Sequence, residues 1–293
     1  YITPARYADK GKNGFLSITL KEREDGGQVY LWGRSAVNTA FLDANLQASY
    51  HQGPSQFTLQ YSPSWRNYQD AYDYSSMQYI GDDFKVDIEQ HDRNPFNYHM
   101  HGVSLKYDFA PSERTVFSAR FSATPTSSSN RIMGTMSDNI LGEYDMKSRN
   151  SSRDFTPSLD MFLRHDFNAK NSLEVQVVGT LSSSDYRRDN NYNLNSDDDL
   201  QYINDINNRR RSLISEVSYV HNFDQSTSLS GGVQNSVSHN TNEYLGQNFK
   251  PVLTDNNNYI YARFAKQINR VYLTAASGAK MLWSRNNNIR RHY

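Results

Sequence analysis

Apolar and polar residues alternate at every second position along most of the chain. Leu42, Ala44, Leu46, Ala48 and Tyr50 interleave with Asp43, Asn45, Gln47 and Ser49, and after a turn at 51–55 Phe57, Leu59 and Tyr61 interleave with Thr58, Gln60 and Ser62. Val103, Leu105, Tyr107 and Phe109 run to a turn at 110–114, and Phe117, Ala119, Phe121 and Ala123 leave it. Leu159, Met161, Leu163 and Phe167 precede a turn at 168–171, followed by Leu173, Val175, Val177 and Leu181. Leu213, Val217, Tyr219 and Phe223 lead to a turn at 224–227, and Leu229, Val233 and Val237 follow. A last hairpin turns at 267–270, between Ile260, Ala262, Phe264 and Val271, Leu273, Ala275. Period two is the mark of a strand with two unlike faces. With 29–35 as the first, the pattern predicts about eleven strands, mostly about 9 to 12 residues long. That length suits a tilted strand crossing a bilayer.

The connections alternate as well. Five are tight, and four, at about 67–97, 124–156, 182–210 and 238–257, are long and polar. Structureless loops of that size are uncommon in compact domains. Short turns on one side and long loops on the other are the pattern of a transmembrane β-barrel. Tyr50, Phe57, Tyr107, Phe109, Phe117, Phe167, Tyr219, Phe223 and Phe264 all lie near short turns on the apolar side, as an interfacial aromatic girdle would. The other side carries Asp43, Lys106, Arg120, Asp160, Arg164, Asp166 and Glu174. Charge is costly against lipid, so this side is expected to face a lumen and the apolar side lipid.

Composition fits this reading. Aromatic residues make up 13% of the 293, yet mean hydropathy is −0.81. Alternation reconciles the two values. No stretch reaches the roughly 18 apolar residues of a membrane helix. A net charge of zero gives no pull toward nucleic acid, and the lack of cysteine removes disulfides and thiolate metal sites.

The first residues break the rhythm. Pro4, Arg6 and Tyr7 are followed by Gly11-Lys12-Asn13-Gly14-Phe15-Leu16-Ser17-Ile18-Thr19-Leu20-Lys21. This stretch resembles the end of the plug domain of TonB-dependent outer-membrane receptors. The alternating hairpin at 46–61 is similar to the outer-membrane β-barrel family common in Bacteroidetes. The resemblance implies an all-β chain with the end of a plug at 1–26 and the N-terminal part of a transmembrane antiparallel barrel at 27–293. About eleven strands would be half of a 22-stranded barrel. The polar, basic stretch 286–293 does not alternate toward a terminal aromatic, so a partial chain is expected. The resemblance also implies location in a Gram-negative outer membrane and TonB-dependent uptake of a large nutrient (siderophore, glycan or peptide). Its partners would be outer-membrane lipid, the TonB system and a surface lipoprotein. A structural or adhesive barrel with binding loops is the rival reading, and a soluble all-β domain a third.

Candidate sites are few. Tyr68, Tyr72, Tyr74 and Tyr79 cluster with Asp70, Asp73, Asp82 and Asp83, a composition able to stack on and hydrogen-bond a ligand such as a sugar. Asp197, Asp198, Asp199 and Asp205 could supply hard oxygens to calcium, but lie among Arg187, Arg188, Arg209, Arg210 and Arg211, and read better as a solvated mixed-charge loop. His99 and His101 share a strand face without a third ligand, and read as a strand end near the outer interface rather than a metal pair. No nucleophile elbow, phosphate loop or His-Glu-x-x-His pattern occurs, so neither an enzyme nor a cofactor is expected.

Overall fold

Alternating sequences fold as sheets because each strand can then show one chemistry to each side. The computed structural model describes residues 25–36, 40–81, 85–140, 142–193, 199–247, 249–286 and 289–292. The glycine-containing stretch at 4–21, and with it most of the expected plug segment, lies outside the described residues, as do Asp82, Asp83, Asp197 and Asp198.

All described elements are strands: β1 (Gly26–Ser35), β2 (Ala40–Gln52), β3 (Ser55–Tyr68), β4 (Tyr72–Ile80), β5 (Lys85–Arg93), β6 (Phe96–Ser112), β7 (Thr115–Ala123), β8 (Thr126–Asp138), β9 (Gly142–Phe155), β10 (Ser158–Asn168), β11 (Asn171–Asn193), β12 (Asp199–Asn222), β13 (Thr227–Leu245), β14 (Val252–Ile268), β15 (Val271–Asn286) and β16 (Ile289–His292). They form one antiparallel sheet. β3 runs on into β4, β5 into β6, β7 into β8 and β9 into β10, because β6 pairs with both β7 and β8, and β11 with both β10 and β9. The sheet is therefore a meander of eleven long strands ending in the short β16, as the alternation predicts.

The described residues of the four long connections are mostly strand. Segments 72–80, 85–93, 126–138 and 142–155 are strands, and β11 and β12 stay paired from Asn171↔His221 to Asn193↔Asp199. Three of the four breaks within long strands carry proline: Pro95, Pro125 and Pro157. Proline cannot donate to a ladder, but its carbonyl still accepts. His101 N–H donates to Pro125 O at 3.0 Å, Leu181 N–H to Pro157 O at 3.0 Å and Arg131 N–H to Pro95 O at 3.2 Å. Pairing therefore continues across these breaks.

The short turns are also linked to their neighbours. Ala110 N–H donates to Pro54 O, Asp166 N–H to Arg114 O, Asn222 N–H to Lys170 O and Gln267 N–H to Ser226 O, each at 2.7–2.8 Å. Gly53 (φ +53°) and Asn269 (φ +54°) supply the left-handed conformation that two-residue hairpin turns need.

We call the side bearing the apolar band outer and the opposite side inner. Residues directly opposite across a ladder share a side, so register fixes both sheets of side chains. Leu59, Leu105, Phe121 and Leu159 form one outer row. Thr58, Lys106, Arg120 and Asp160 form the inner row beside it. Buried apolar side chains are few: Ala123, Met136, Tyr144, Met146 and Ala265 among the described residues. Leu105, Phe121, Val217, Val233 and Ile260 are exposed, so among the described residues no core lies beneath the apolar side.

The compact part is the hairpin end. There Met136, Tyr144 and Met146 pack with Ile88, Ile132 and Tyr192. An added Cβ on Gly134 would run into the His91 carbonyl, so β5 and β8 approach too closely there for a side chain. Gly134→Ala is predicted to weaken this end by about 1–3 kcal/mol. Amide exchange should quicken in β5 and β8 while β10 and the first half of β11 keep their protection.

Candidate ligand-binding surface

The inner side of the lower sheet is built from ion pairs. Asp43 on β2 meets Arg34 of β1 at 3.0 Å and Arg66 of β3 at 2.8 Å, and accepts from Ser64 Oγ at 2.7 Å. The Arg66 guanidinium also lies 5.2 Å from the centre of the Phe41 ring. Lys106 pairs with Asp108 at 2.7 Å, and Arg164 with Asp166 at 3.2 Å and Glu174 at 3.8 Å. Arg120 stands opposite Asp160. Tyr261 donates to Glu216 at 2.9 Å and lies over Gly232, where a Cβ would meet its hydroxyl at 2.6 Å. All seven charged positions assigned to this side from the sequence do lie on it.

The aromatic residues near the short turns do lie together on the outer side. Phe57 and Tyr107 stack at 4.7 Å, Tyr107 meets Phe117 edge-on at 6.2 Å, and His165 and His221 abut Phe167 and Phe223 at 4.8 and 4.6 Å.

Toward the hairpin end the four candidate tyrosines divide. Tyr68 is opposite Phe96 on the inner side, and Phe96 stacks on Tyr98 at 6.2 Å. Between Tyr68 and Tyr72 the alternation shifts by one. Tyr72 and Tyr74 consequently pair with Arg93 and His91 on the outer side, 72% and 61% exposed, with Tyr74 4.4 Å from the His91 ring. Tyr79, opposite Val86, returns to the inner side. The structure thus brings Tyr68 together with Phe96 and Tyr98, which sequence proximity did not single out. Even-numbered continuity from Lys106 along β6 to Tyr98 and Phe96 is the signal that marks them. Of the acidic neighbours, Asp70 pairs with Arg93 at 3.2 Å and Asp73 accepts from Asn94 at 2.6 Å.

His101 lies 2.7 Å from the Tyr61 hydroxyl and His99 faces Trp65, both on the outer side just beyond Val103. Asp205 is 3.7 Å from Arg187, and Asp199 opens β12. Among the described residues no three His, Asp or Glu side chains gather as a metal site would require.

The inner side of the hairpin end is part apolar and part amide, with Arg188 and Asp154 among them. Ser148 donates to Asn190 at 2.6 Å in full burial, and Asn208 donates to Asn242. Burial, reinforced by the Asp138 carboxylate, pushes the Tyr144 phenol up to about 12. Asp92 is buried and accepts from Gln90, and its other oxygen has no partner. Aromatic faces and neutral amides suit stacking and hydrogen bonding to an uncharged or weakly charged polar ligand.

No protein-family model matches the sequence, and no curated protein matches it. Solved structures do. The ferric citrate transporter FecA in its unliganded form aligns over 88% of this chain and 48% of its own, at 10% identity and a TM-score of 0.38. A mutant of the monoaromatic hydrocarbon channel TodX aligns over 91% of both chains, at 10% identity and a TM-score of 0.22. This chain spans about half the length of FecA.

Burial raises the Asp92 carboxyl above its ordinary value. A carboxyl raised in the folded state binds its proton more tightly there, so stability falls as pH rises from the unfolded value to the folded one. Asp92→Asn should abolish that fall and leave the hairpin end more stable at neutral pH, as read by pH-dependent amide exchange in β5.

Proposed function

We propose that this chain forms wall of an outer-membrane β-barrel that takes up a large polar nutrient in a TonB-dependent manner. The observation that carries the reading is the exchange of side-chain chemistry along continuous strands. Below Pro125 and Pro157 the outer side reads Phe117, Ala119, Phe121, Ala123 and Leu159, Met161, Leu163. Above them it reads Ser127, Ser129, Arg131 and Arg153, Ser151, Arg149. The inner side changes oppositely, from Arg120 and Asp160 to Met136, Tyr144 and Met146. A strand that crosses from lipid into water must change its outer side in this way, and the apolar residues on the inner side there pack on one another.

Dimensions support it. The outer apolar run of β11 covers the nine residues from Leu173 to Leu181. At about 3.3 Å per residue and a tilt of roughly 35–45°, nine residues rise about 20–25 Å, near the ≈25 Å apolar band of outer-membrane barrels. The short turns then face the periplasm and the hairpin end projects outside the cell. Residues 1–26 are the end of the plug in this reading. A ligand meets the inner side of the hairpin end first, and energised displacement of the plug admits it. The TonB system and a surface lipoprotein are the partners this scheme requires.

Three tests follow. Leu105→Arg and Val177→Arg, at mid-height on the outer side, should each cost about 2–4 kcal/mol in bilayers. Ser104→Arg on the inner side should cost under about 0.5 kcal/mol. Equal costs in urea titrations on phospholipid vesicles would refute the lipid-facing assignment. For ligand uptake, Tyr68→Ala and Tyr79→Ala should lower affinity about tenfold, whereas Tyr72→Ala and Tyr74→Ala should not. Uptake measured in cells with and without TonB decides the energy source, and undiminished uptake without it would rule out TonB dependence.

A further inference from the structure

Beyond the apolar band, charge on the outer side is sorted by height. Along β9, leading away from the band, Arg153, Arg149 and Lys147 come first, and Asp145 and Glu143 follow at the tip. On β12, Arg211 and Arg209 adjoin Leu213, and Asp205 lies farther out. β8 adds Arg131. These basic side chains are exposed. The carboxylates nearest them are engaged: Asp185, across from Arg153, is held by Arg209 at 2.7 Å, and Asp189, across from Arg149, accepts from Gln201 at 2.9 Å. Among the described residues Arg131, Arg149, Arg153 and Arg211 make no ion pair.

A second feature is independent of composition. Arg131 and Arg149 are directly opposite each other in the β8–β9 ladder. Like charges in that position destabilise a sheet unless an anion lies between them. Below them a groove of about 400 Å³ opens at the proline breaks, lined by His99, His101 and Arg153, by the Asp154 and Asp185 carboxylates, the latter held by Arg209, and by the apolar Phe155 and Pro125. It sits where the outer apolar band ends.

We propose that this belt binds the phosphate groups of anionic lipid headgroups in the leaflet on the hairpin side. Guanidinium forks match phosphate oxygens two at a time, and basic residues at a membrane surface attract anionic lipid. The groove offers apolar surface at the depth where acyl chains begin and charge at the depth of the headgroup. The inference rests on the membrane reading above.

The test uses the whole protein in phosphatidylcholine vesicles, with spin-labelled phosphatidic acid or phosphatidylcholine as probe. The wild-type protein should hold motion-restricted phosphatidic acid in preference to phosphatidylcholine, and rising salt should erase the preference. Each of Arg149→Gln, Arg153→Gln and Arg211→Gln should lower it by up to about fivefold. The corresponding Lys variants, which keep the charge, should retain most of it, and Lys250→Gln at the tip should leave it unchanged. Equal retention of both probes by the wild-type protein would overturn the belt while leaving the membrane reading intact. So would undiminished selectivity in the Gln variants. Competition by millimolar inorganic phosphate without lipid selectivity would reassign the belt to free anions. Absence of any motion-restricted lipid would overturn the belt and the membrane reading together.

Discussion

The structure depends on a continuous antiparallel ladder that keeps two unlike sets of side chains apart. With no core among the described residues beneath its apolar side, the sheet is held by backbone pairing and by what covers each side. In water the exposed Leu105, Phe121, Val217 and Ile260 would be part of a large uncovered apolar surface. In lipid every backbone polar group must be paired within the sheet. Both requirements are met by the same register, which sends the apolar residues outward and Lys106, Arg120, Arg164 and Glu174 inward.

Continuity of that ladder through the prolines matters as much as its length. Pro125 and Pro157 interrupt adjacent strands at the same height, between Ser122↔Ser158 and Thr126↔Asp154. The carbonyls of both still accept, so pairing continues past them. The proline breaks coincide with the exchange of chemistry between the two sides. Below them the outer side is apolar and exposed. Above them the sheet builds its own small cluster around Met146 and shows charge to the outside.

Much of this was legible in the sequence. Alternation such as Phe117-Ser-Ala-Arg-Phe-Ser-Ala123 has one folding solution, and tight turns followed from Gly53 and Asn269. The hairpin-end strands were not legible, because segments such as Thr126–Asp138 are polar on one side and mixed on the other, and they form by extending neighbouring ladders. The tyrosine cluster was misleading as a unit. One shift of alternation at 69–71 turns Tyr72 and Tyr74 outward and leaves Tyr68 with Phe96 and Tyr98. That shift depends on how β4 docks on β5, a tertiary fact that local pattern cannot encode.

The chain has no cysteine, so single cysteines can be introduced without background. Their labelling by a membrane-impermeant maleimide in bilayer vesicles tests the central claim most directly. Along β10 the account predicts protection at Leu159, Met161 and Leu163, and reactivity at Asp160, Phe162 and Arg164. Along β9 the phase should reverse, with Asp145, Lys147 and Arg149 reactive and Tyr144, Met146 and Ser148 protected. A single phase held across Pro157, with Lys147 and Arg149 as protected as Met161, would contradict it.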